Sequence, residues 1–360
     1  MTFQKTTIIA EAGVNHNGDI KLALQLIDAA AEAGADIVKF QTFRTEELVS
    51  TSAPKANYQM RSTDPTESQY AMLKKLELTH ENHFILKTHC EKQNIEFLST
   101  PFDATSADFL LRDMKLTTIK ISSGEITTAP LLLQIAKYQP NIILSTGMST
   151  LGEIEEALAV IAFGLIQSEE IPSKNTFMRA YSSSQGQEKL KQKVTLLHCT
   201  SDYPADFSGV NLRAMNTLKS AFNLPVGYSD HTTGISIPLA AVAMGATIIE
   251  KHFTLDRSLP GPDHKASLEP SELKNMVAGI REIELALGSP LKIPTKKELE
   301  TKLIARKSLI ATQAIKKGDI FSKKNICLQR PGNGISPMYY WDYLDRFATH
   351  DYKIGELINE

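Results

Sequence analysis

Short apolar runs alternate with segments of helical periodicity from residue 6 to about residue 287. After the first run, Leu22, Leu26 and Ala30 recur at helical spacing. The strand-like runs lie near residues 8–10, 36–41, 95–99, 117–121, 141–145, 194–198, 225–229 and 246–251. Alternating strands and helices require a parallel sheet, and eight units favour a closed (β/α)8 TIM barrel. An open doubly wound sheet is the alternative, although no G-x-G-x-x-G motif follows the first run.

Polar residues follow the C-terminal end of each of these runs. They are Glu11, Lys39, Gln41, Ser99, Thr100, Lys120, Ser122, Ser123, Glu125, Ser145, Thr146, His198, Thr200, Ser229, Asp230, His231, Glu250 and His252. In a parallel barrel the C-terminal strand ends meet at one face, and active sites lie there. The pattern therefore predicts an active site built from the strand ends.

Two histidines are the candidate metal ligands. His231 and His252 follow the seventh and eighth runs, which are neighbours in a barrel. Neutral imidazole is the commonest protein metal ligand, and two histidines with open positions suit Mn²⁺, Mg²⁺, Zn²⁺ or Fe²⁺ in Lewis-acid work. Asp230, Glu250 and Asp263 could ligate the ion or orient the imidazoles. The alternative is that one histidine caps a loop and the other packs in the core.

Two lysines end the second and fourth runs. An inward-pointing lysine is costly unless paired, so Lys39 and Lys120 are expected to hold an anion or to form a Schiff base. A Schiff-base aldolase typically needs one reactive lysine, so two lysines among many hydroxyls favour binding of a phosphate and a carboxylate. The alternative is an ordinary ion pair of these lysines with Glu11 or Glu125.

Glu11 and Glu125 are the candidate acid–base groups. Glu125 follows Ser123 and Gly124, a turn that could bring backbone amides close to an anion. A carboxylate beside cations is expected to have a depressed pKa, which suits a base better than an acid. The sequence does not decide between the two.

Two insertions and a tail interrupt the barrel pattern. Residues 42–66 read as a polar loop, long enough to contact substrate, and residues 166–192 lengthen the connection before the sixth strand. Pro270–Leu287 reads as the last barrel helix. The expected division is a barrel at 1–288, a linker at 289–302 and a small β-rich domain at 303–360.

Composition excludes several classes of function. The 360 residues carry a formal net charge of only −2, so no global field favours nucleic acid or an anionic membrane. Three widely spaced cysteines indicate a reducing compartment. No signal-peptide pattern and no apolar stretch of about 20 residues is present. We therefore expect a cytoplasmic protein that binds neither nucleic acid nor membrane.

The chain resembles the bacterial sialic acid (nonulosonate) synthases over nearly its whole length. The resemblance is carried, in order, by IIAEAGVNHNGD, ADIVKFQTF, FLSTPFD, IKISSGE, IILSTGM, LLHCTSDYP, GYSDHT, IEKHFTLD and PGPDHKASLEP. The tail from Ala305 through RPGNG resembles the antifreeze-like (SAF, β-clip) domain of that family. The long 166–192 insertion is more similar to legionaminate-type members.

The resemblance implies condensation of phosphoenolpyruvate with an open-chain N-acylated mannosamine-type sugar. A nine-carbon 2-keto acid would form, and phosphate would leave by C–O cleavage. N-acetylmannosamine would give N-acetylneuraminate, a 2,4-diacetamido-trideoxymannose would give N,N'-diacetyllegionaminate, and its altrose-type isomer would give pseudaminate. The sequence does not name the sugar. Tyr58 and Gln59 in the 42–66 loop are the best candidates for selecting it.

The resemblance also implies roles for individual residues. His231 and His252 match the ligands of a divalent metal, Mn²⁺ first, with Mg²⁺ or Co²⁺ possible. The positions that match phosphoenolpyruvate contacts are Lys39, Thr100, Lys120, Ser123, Ser145 and Ser229. Those that match sugar contacts or catalytic assistance are Glu11, Gln41, Tyr203 and Asp263. Either Glu11 or Glu125, or the metal, would deprotonate the attacking water.

Two further positions bear on substrate binding. Many members of the family carry Asn where this chain has Ser201, whose hydroxyl can donate there too. Arg330 matches the arginine that the tail domain donates to the partner subunit's site, where it touches the N-acyl group of the sugar. The resemblance therefore implies a homodimer with swapped SAF domains.

Two other functions remain open alternatives. A metal-dependent pyruvate aldolase could use the same barrel without phosphate chemistry. A non-catalytic sugar-binding protein would keep the SAF module as its functional part and use the barrel as a scaffold.

Overall fold

The computed structural model describes residues 5–56, 59–60, 63–64 and 66–359. The chain divides into two compact units, Met1–Gly288 and Ser289–Glu360. Tyr58, a predicted sugar-selecting residue, lies outside the described residues, whereas Gln59 lies within them.

Eight parallel strands form the sheet of the first unit. They are β1 (Thr7–Gly13), β2 (Ile37–Thr42), β3 (Glu96–Pro101), β4 (Thr118–Ile121), β5 (Asn141–Ser145), β6 (Val194–Cys199), β7 (Val226–Asp230) and β8 (Ile248–His252). Their hydrogen-bonded order is β3-β2-β1-β8-β7-β6-β5-β4, and the two end strands lie side by side. The sheet is therefore a nearly closed barrel, and the predicted TIM barrel is confirmed.

Helices follow the strands in alternation. Those of the first unit are Ile20–Ala33, Thr45–Leu48, Gln69–Leu76, His80–Gln93, Ala104–Asp108, Ala129–Lys137, Leu151–Leu165, Lys174–Ser182, Ser184–Lys193, Ala214–Phe222, Ser236–Ala243 and Pro270–Leu287. The last has the bounds predicted from sequence. Within the described part of the chain, no helix combines the length and apolar character that crossing a bilayer requires.

The first barrel helix illustrates how local sequence sets these boundaries. The Asp19 side chain caps Ile20–Ala33 by accepting a hydrogen bond from the Lys21 backbone N–H. Gly34 ends the helix in the left-handed region, with φ of 82°, which costs a glycine little. Leu26 and Ala30 are fully buried against the sheet, as their helical spacing predicts.

An apolar layer fills the barrel below the strand ends. It consists of Ile9, Ile37, Leu98, Ile143, Leu197 and Ile248, which form one buried cluster. Side chains alternate between the two faces of a strand, so the residue two positions further on points the same way. Those residues are Glu11, Lys39, Thr100, Ser145, Cys199 and Glu250. The apolar layer is therefore the floor on which a polar layer stands.

The floor is packed tightly enough to require a glycine on β7. A Cβ atom at Gly227 would lie 2.5 Å from the Ile248 carbonyl oxygen and 2.7 Å from Leu197 Cδ2. Both distances are shorter than van der Waals contact. A side chain at this position would therefore displace the layer that supports the polar residues.

Both insertions are more regular than the sequence indicated. Residues 42–66, predicted as a polar loop, contain the short helix Thr45–Leu48. The 166–192 insertion forms the helices Lys174–Ser182 and Ser184–Lys193, which pack against Leu151–Leu165. Phe163 and Phe177 meet edge to face there, with ring centroids 5.1 Å apart. The insertion therefore thickens the outer helical layer.

The second unit is built around a two-stranded antiparallel sheet, β9 (Ser308–Ala311) and β10 (Ile326–Gln329). Its own buried core consists of Leu309, Ala311, Ile315, Phe321, Ile326, Ala348, Tyr352 and Ile358. The helix Lys296–Ala305 occupies the second half of the predicted linker. Arg330 follows β10 and is exposed. The loop after it is held by Ser308, whose hydroxyl donates to the Pro331 carbonyl oxygen at 2.7 Å.

Candidate active site

Four charged side chains form a buried cluster above the apolar floor. Lys39 Nζ lies 2.8 Å from Glu11 Oε2 and 3.5 Å from Glu250 Oε2. Lys120 Nζ lies 3.6 Å from Glu250 Oε1. Buried charges need opposite partners, and here two carboxylates face two ammonium groups. Lys39 therefore makes the ion pair with Glu11 that the sequence left open, while Lys120 faces Glu250 and not Glu125.

The two central carboxylates respond differently to this environment. Burial opposes ionisation of Glu250, but Lys120, Lys39 and the Ser229 hydroxyl together lower its pKa to about 2. Burial raises the pKa of Glu11 to about 7 even though Lys39 acts in the opposite direction. The predicted depression of the Glu11 pKa was therefore wrong, because loss of hydration outweighs the neighbouring cation.

Glu125 departs from its prediction for the same reason. It lies in the 3₁₀ turn Ser123–Glu125 and is half-buried, and burial raises its pKa. A hydrogen bond from the Thr128 hydroxyl at 2.8 Å lowers the pKa only in part. No lysine contributes to the shift, since Lys120 faces Glu250. The predicted depression fails here because the expected cation is not a neighbour.

Hydroxyl groups line the same cavity as the two lysines. Thr100 Oγ1 accepts a hydrogen bond from Lys39 Nζ at 3.0 Å, and Ser229 Oγ donates to Glu250 Oε1 at 2.7 Å. The serine and threonine residues that line the cavity are Thr100, Ser122, Ser123, Ser145, Ser201 and Ser229. Thr146 bonds the Leu197 carbonyl instead and does not belong to this set. An anion entering here meets two ammonium groups and a set of hydroxyl donors.

The two candidate metal ligands lie side by side. The ring centroids of His231 and His252 are 5.5 Å apart. The His231 Nδ1–H donates a hydrogen bond to the Thr200 carbonyl oxygen at 2.6 Å, so the Nε2 of the neutral ring keeps a free lone pair. Burial lowers the pKa of His231 to about 4 and that of His252 well below its usual value. Both imidazoles are therefore neutral near pH 7, the form that binds metals.

The donor set beside these rings fits one divalent ion. His252 Nδ1 is buried without a hydrogen-bond partner among the described residues, and Asp263 Oδ2 lies 3.7 Å from it. Over the same residues, no three His, Cys, Asp or Glu side chains form a ready metal cluster. Two imidazoles with a carboxylate nearby leave positions for substrate oxygens, as in catalytic sites.

Asp230, which the sequence offered as a further ligand, points away from the cavity. Its carboxylate lies 2.5 Å from Lys251 Nζ and accepts hydrogen bonds from the Tyr228 hydroxyl and from Thr232. Lys251 also donates to the Thr232 carbonyl oxygen. This ion pair joins the ends of β7 and β8 behind the two histidines.

Four other predicted contact residues line the same cavity. Gln41 Nε2 donates to Glu11 Oε1 at 3.3 Å. The Tyr203 ring lies 4.1 Å from the His231 ring between centroids, and Ser201 precedes it in the segment after β6. Burial raises the pKa of Asp263 to about 6.

A single cavity of about 660 Å³ is lined by every barrel residue to which the family resemblance assigned a role. They are Glu11, Lys39, Gln41, Thr100, Lys120, Ser123, Glu125, Ser145, Ser201, Tyr203, Ser229, His231, His252 and Asp263. This volume falls in the range of small-molecule sites. Arg330, the remaining predicted contact, belongs to the second unit. None of the 166–192 insertion, all of which is described, lines this cavity.

Sequence reasoning missed two features of the cavity. The sequence suggested Glu250 only as a ligand or orienting group of the metal site, whereas in the structure its carboxylate faces both lysines. Its position two residues after Ile248 of the floor could have placed it in the polar layer.

The second missed feature is an apolar side of the cavity formed largely by the connection after β2. Its residues are Val14, Phe43, Leu48, Val49, Met72, Leu73, Leu76 and Phe102.

The chain is similar to one family of known proteins over most of its length. The NeuB family model matches residues 26–292. N,N'-diacetyllegionaminic acid synthase of Campylobacter jejuni is 54% identical over 357 residues, covering 99% of this chain and 100% of that protein. The Legionella pneumophila protein of the same name is 47% identical, covering 92% of this chain and 86% of that protein.

A solved structure is also similar. The N-acetylneuraminic acid synthetase of Leptospira borgpetersenii, determined in complex with citrate, superposes with a TM-score of 0.65 at 36% identity. The match covers 82% of this chain and 90% of that one.

Proposed function

The chain belongs to the NeuB family, and we propose that its product is N,N'-diacetyllegionaminate. It is a phosphoenolpyruvate-dependent nonulosonate synthase, which condenses phosphoenolpyruvate with a small sugar. The sugar in our proposal is 2,4-diacetamido-2,4,6-trideoxymannose in its open-chain form. The two relatives of 54% and 47% identity, both named for this product, support that choice.

One geometric observation carries the chemical assignment. The buried lysine pair and the neutral histidine pair line the same cavity. An anionic substrate fits the ammonium and hydroxyl groups, while an aldehyde oxygen fits the histidine side. A condensation needs both substrates in one place with their reacting carbons adjacent, and a shared cavity provides this.

In this proposal the residues of the cavity divide the reaction between them. Lys39 and Lys120, with Thr100, Ser123, Ser145 and Ser229, hold the phosphate and carboxylate of phosphoenolpyruvate. The third carbon of phosphoenolpyruvate attacks the sugar aldehyde, whose oxygen takes up a proton from solvent and becomes a hydroxyl, and positive charge develops at the second carbon of phosphoenolpyruvate. The ionised Glu250, which faces both lysines, would stabilise that charge. Glu11 or Glu125 takes a proton from the water that adds there, and phosphate leaves by C–O cleavage.

A divalent metal is part of the proposal. His231 and His252 would hold it, with Mn²⁺ the preferred ion and Mg²⁺ or Co²⁺ as substitutes, and it would polarise the sugar aldehyde. The neutral state of both rings and the unpartnered Nδ1 of His252 support this assignment. Gln41, Ser201, Tyr203 and Asp263 would contact the sugar beside it.

The assembly and the compartment are also proposed. The second unit would be an SAF domain that brings Arg330 to the sugar site of a partner subunit in a homodimer. The exposed Arg330 on a loop held by Ser308 supports a role in contacting another surface. Three free cysteines support a reducing compartment such as the cytoplasm.

Phosphate release and product mass test the proposal directly. The purified enzyme with Mn²⁺ is given phosphoenolpyruvate and one sugar at a time. We expect one phosphate per N,N'-diacetyllegionaminate formed and a higher kcat/KM with the trideoxymannose than with N-acetylmannosamine. A preference for N-acetylmannosamine, or for the altrose-type isomer, would reassign the product. Turnover with pyruvate in place of phosphoenolpyruvate would indicate an aldolase, and binding without product would indicate a scaffold.

A further inference from the structure

One wall of the active-site cavity is apolar, in contrast to the charged polar layer at the strand ends. The wall consists of Val14, Phe43, Leu48, Val49, Met72, Leu73, Leu76 and Phe102. Among the described residues, the polar side chains that interrupt this stretch of the lining are the carboxamides of Gln59 and Gln69, which bond each other at 3.3 Å. Over the part of this connection that the structure describes, the wall therefore offers few hydrogen-bonding groups to whatever lies against it.

The wall is a packed structure. Val14, Phe43 and Leu76 form a buried cluster, with Leu48, Leu73 and Phe102 packed on it. The rings of Phe43 and Phe102 meet edge to face, with centroids 6.3 Å apart. Side chains held by such contacts keep their positions when a ligand arrives, so the wall presents a defined shape.

Polar contacts fix the two helices that carry the wall. The Thr45 hydroxyl donates to Glu77 Oε2 at 2.8 Å, and the Thr45 backbone N–H donates to the same oxygen at 3.1 Å. Lys74 Nζ lies 2.9 Å from Glu46 Oε1. These bonds join Thr45–Leu48 to the end of Gln69–Leu76, so both helices hold the wall in place.

The reaction determines which end of the sugar can reach this wall. The aldehyde carbon reacts at the polar layer, where the lysines and histidines lie on or directly after the strands. The wall comes mainly from the connection after β2 and the helix Gln69–Leu76, outside the strand ends. An open-chain hexose bound by its first carbon at the polar layer extends its sixth carbon away from it.

We propose that the apolar wall selects a sugar with a methyl group at its sixth carbon over one with a hydroxymethyl group. The inference rests on the proposed function, since it concerns the sugar of that reaction. A methyl group against Leu48 and Leu73 loses nothing on leaving water, whereas a hydroxyl there loses its hydrogen bonds without replacement. The Gln59 and Gln69 carboxamides match the acetamido groups that both kinds of sugar carry.

Two sugars that differ by one oxygen atom test the wall in the wild-type enzyme. They are 2,4-diacetamido-2,4,6-trideoxymannose and its 6-hydroxy analogue, 2,4-diacetamido-2,4-dideoxymannose. We expect kcat/KM to be about 100-fold higher for the 6-deoxy sugar, the discrimination typical of an apolar pocket against an added hydroxyl. Equal kcat/KM values, or a preference for the hydroxyl, would overturn the inference while leaving the proposed function intact. Turnover of neither sugar would instead overturn the proposed function.

Variants at two half-buried wall positions locate the selection. Leu73→Asn and Leu48→Asn each give the wall a hydrogen-bonding group, so we expect the 6-deoxy preference to fall about tenfold or more. Leu73→Met and Leu48→Met keep the position apolar, and we expect them to retain the wild-type ratio. The KM for phosphoenolpyruvate and the circular dichroism spectrum serve as checks that the rest of the site is unchanged. A wild-type ratio in both asparagine variants would show that selection lies elsewhere in the cavity.

Discussion

Lys251 and Asp230 form an ion pair that is completely buried, with Nζ 2.5 Å from Oδ2. Each residue immediately precedes a candidate metal ligand in the chain, His252 and His231 respectively. The pair lies on the opposite face of β7 and β8 from the cavity. It therefore fixes the spacing of the two strand ends from behind.

Replacing Lys251 by Met tests how much this ion pair contributes to the free energy of unfolding. Asp230 would keep its charge in a buried position without a cation, so we expect the free energy of unfolding to fall by about 3–5 kcal/mol. Urea denaturation of the wild type and of Lys251→Met measures the difference. The double variant Lys251→Met/Asp230→Asn removes the stranded charge and is expected to recover part of the loss. Equal stability of the single variant and wild type would contradict a structural role for the pair.

Lys39→Met should weaken binding of phosphoenolpyruvate. The variant removes one of the two ammonium groups from the cavity, and truncation of a buried charge partner reduces affinity by on the order of 100-fold. Steady-state kinetics with phosphoenolpyruvate as the varied substrate measures this loss. Lys5→Met is the matched control, because Lys5 is exposed and pairs with Asp36 outside the cavity. An unchanged KM in Lys39→Met would place the anion elsewhere.

The raised pKa of Glu125 is expected to make the free energy of unfolding depend on pH. Burial raises its pKa in the folded protein above the value of about 4.5 in the unfolded chain. The stability it contributes is fully present below pH 4.5 and is lost as the pH rises through the folded pKa. Glu125→Gln does not titrate, so its free energy of unfolding should fall less than that of the wild type over this interval. Urea denaturation at several pH values checks the two slopes, and parallel slopes would contradict the assignment.

The sequence allowed most of the barrel to be predicted because each strand is a short apolar run that ends in polar residues. Their position at the C-terminal strand ends predicted that Glu11, Lys39 and Thr100 lie together, and in the structure each follows a floor residue by two positions. The direction of the Glu11 pKa could not be predicted in this way. It depends on how completely the side chain is dehydrated, and only the packed cavity determines this.

The apolar wall could not be predicted for a different reason. Its members come from separate parts of the chain, and residues 42–66 appear polar because only a few apolar side chains, such as Phe43 and Leu48, are present. These side chains become a surface only when Gln69–Leu76 packs against them. Lys251 was overlooked because a lysine between two site residues is expected to be exposed. Side chains alternate along β8, however, so Lys251 lies on the buried face opposite the cavity.

Removal of the metal is expected to abolish turnover and leave the fold intact. Dialysis against a chelator followed by addition of Mn²⁺ should restore activity. His231→Ala loses one of the two proposed ligands, so we expect its Mn²⁺ affinity to fall by more than tenfold, measured by titration calorimetry without substrate. Unchanged activity in the metal-free enzyme would refute a catalytic metal. Unchanged Mn²⁺ affinity in His231→Ala would refute this ligand assignment.

Mixed dimers test whether Arg330 acts in the partner subunit's site. Arg330→Ala and His231→Ala homodimers should both be inactive or severely impaired. If the arginine is exchanged between subunits, a heterodimer of the two variants has one site with both His231 and Arg330 intact, and the other site has neither. We then expect about half the wild-type activity from heterodimers purified with two different affinity tags. If Arg330 serves its own subunit, every site in the heterodimer carries one defect and no activity returns. A fully active monomer would exclude the exchange altogether.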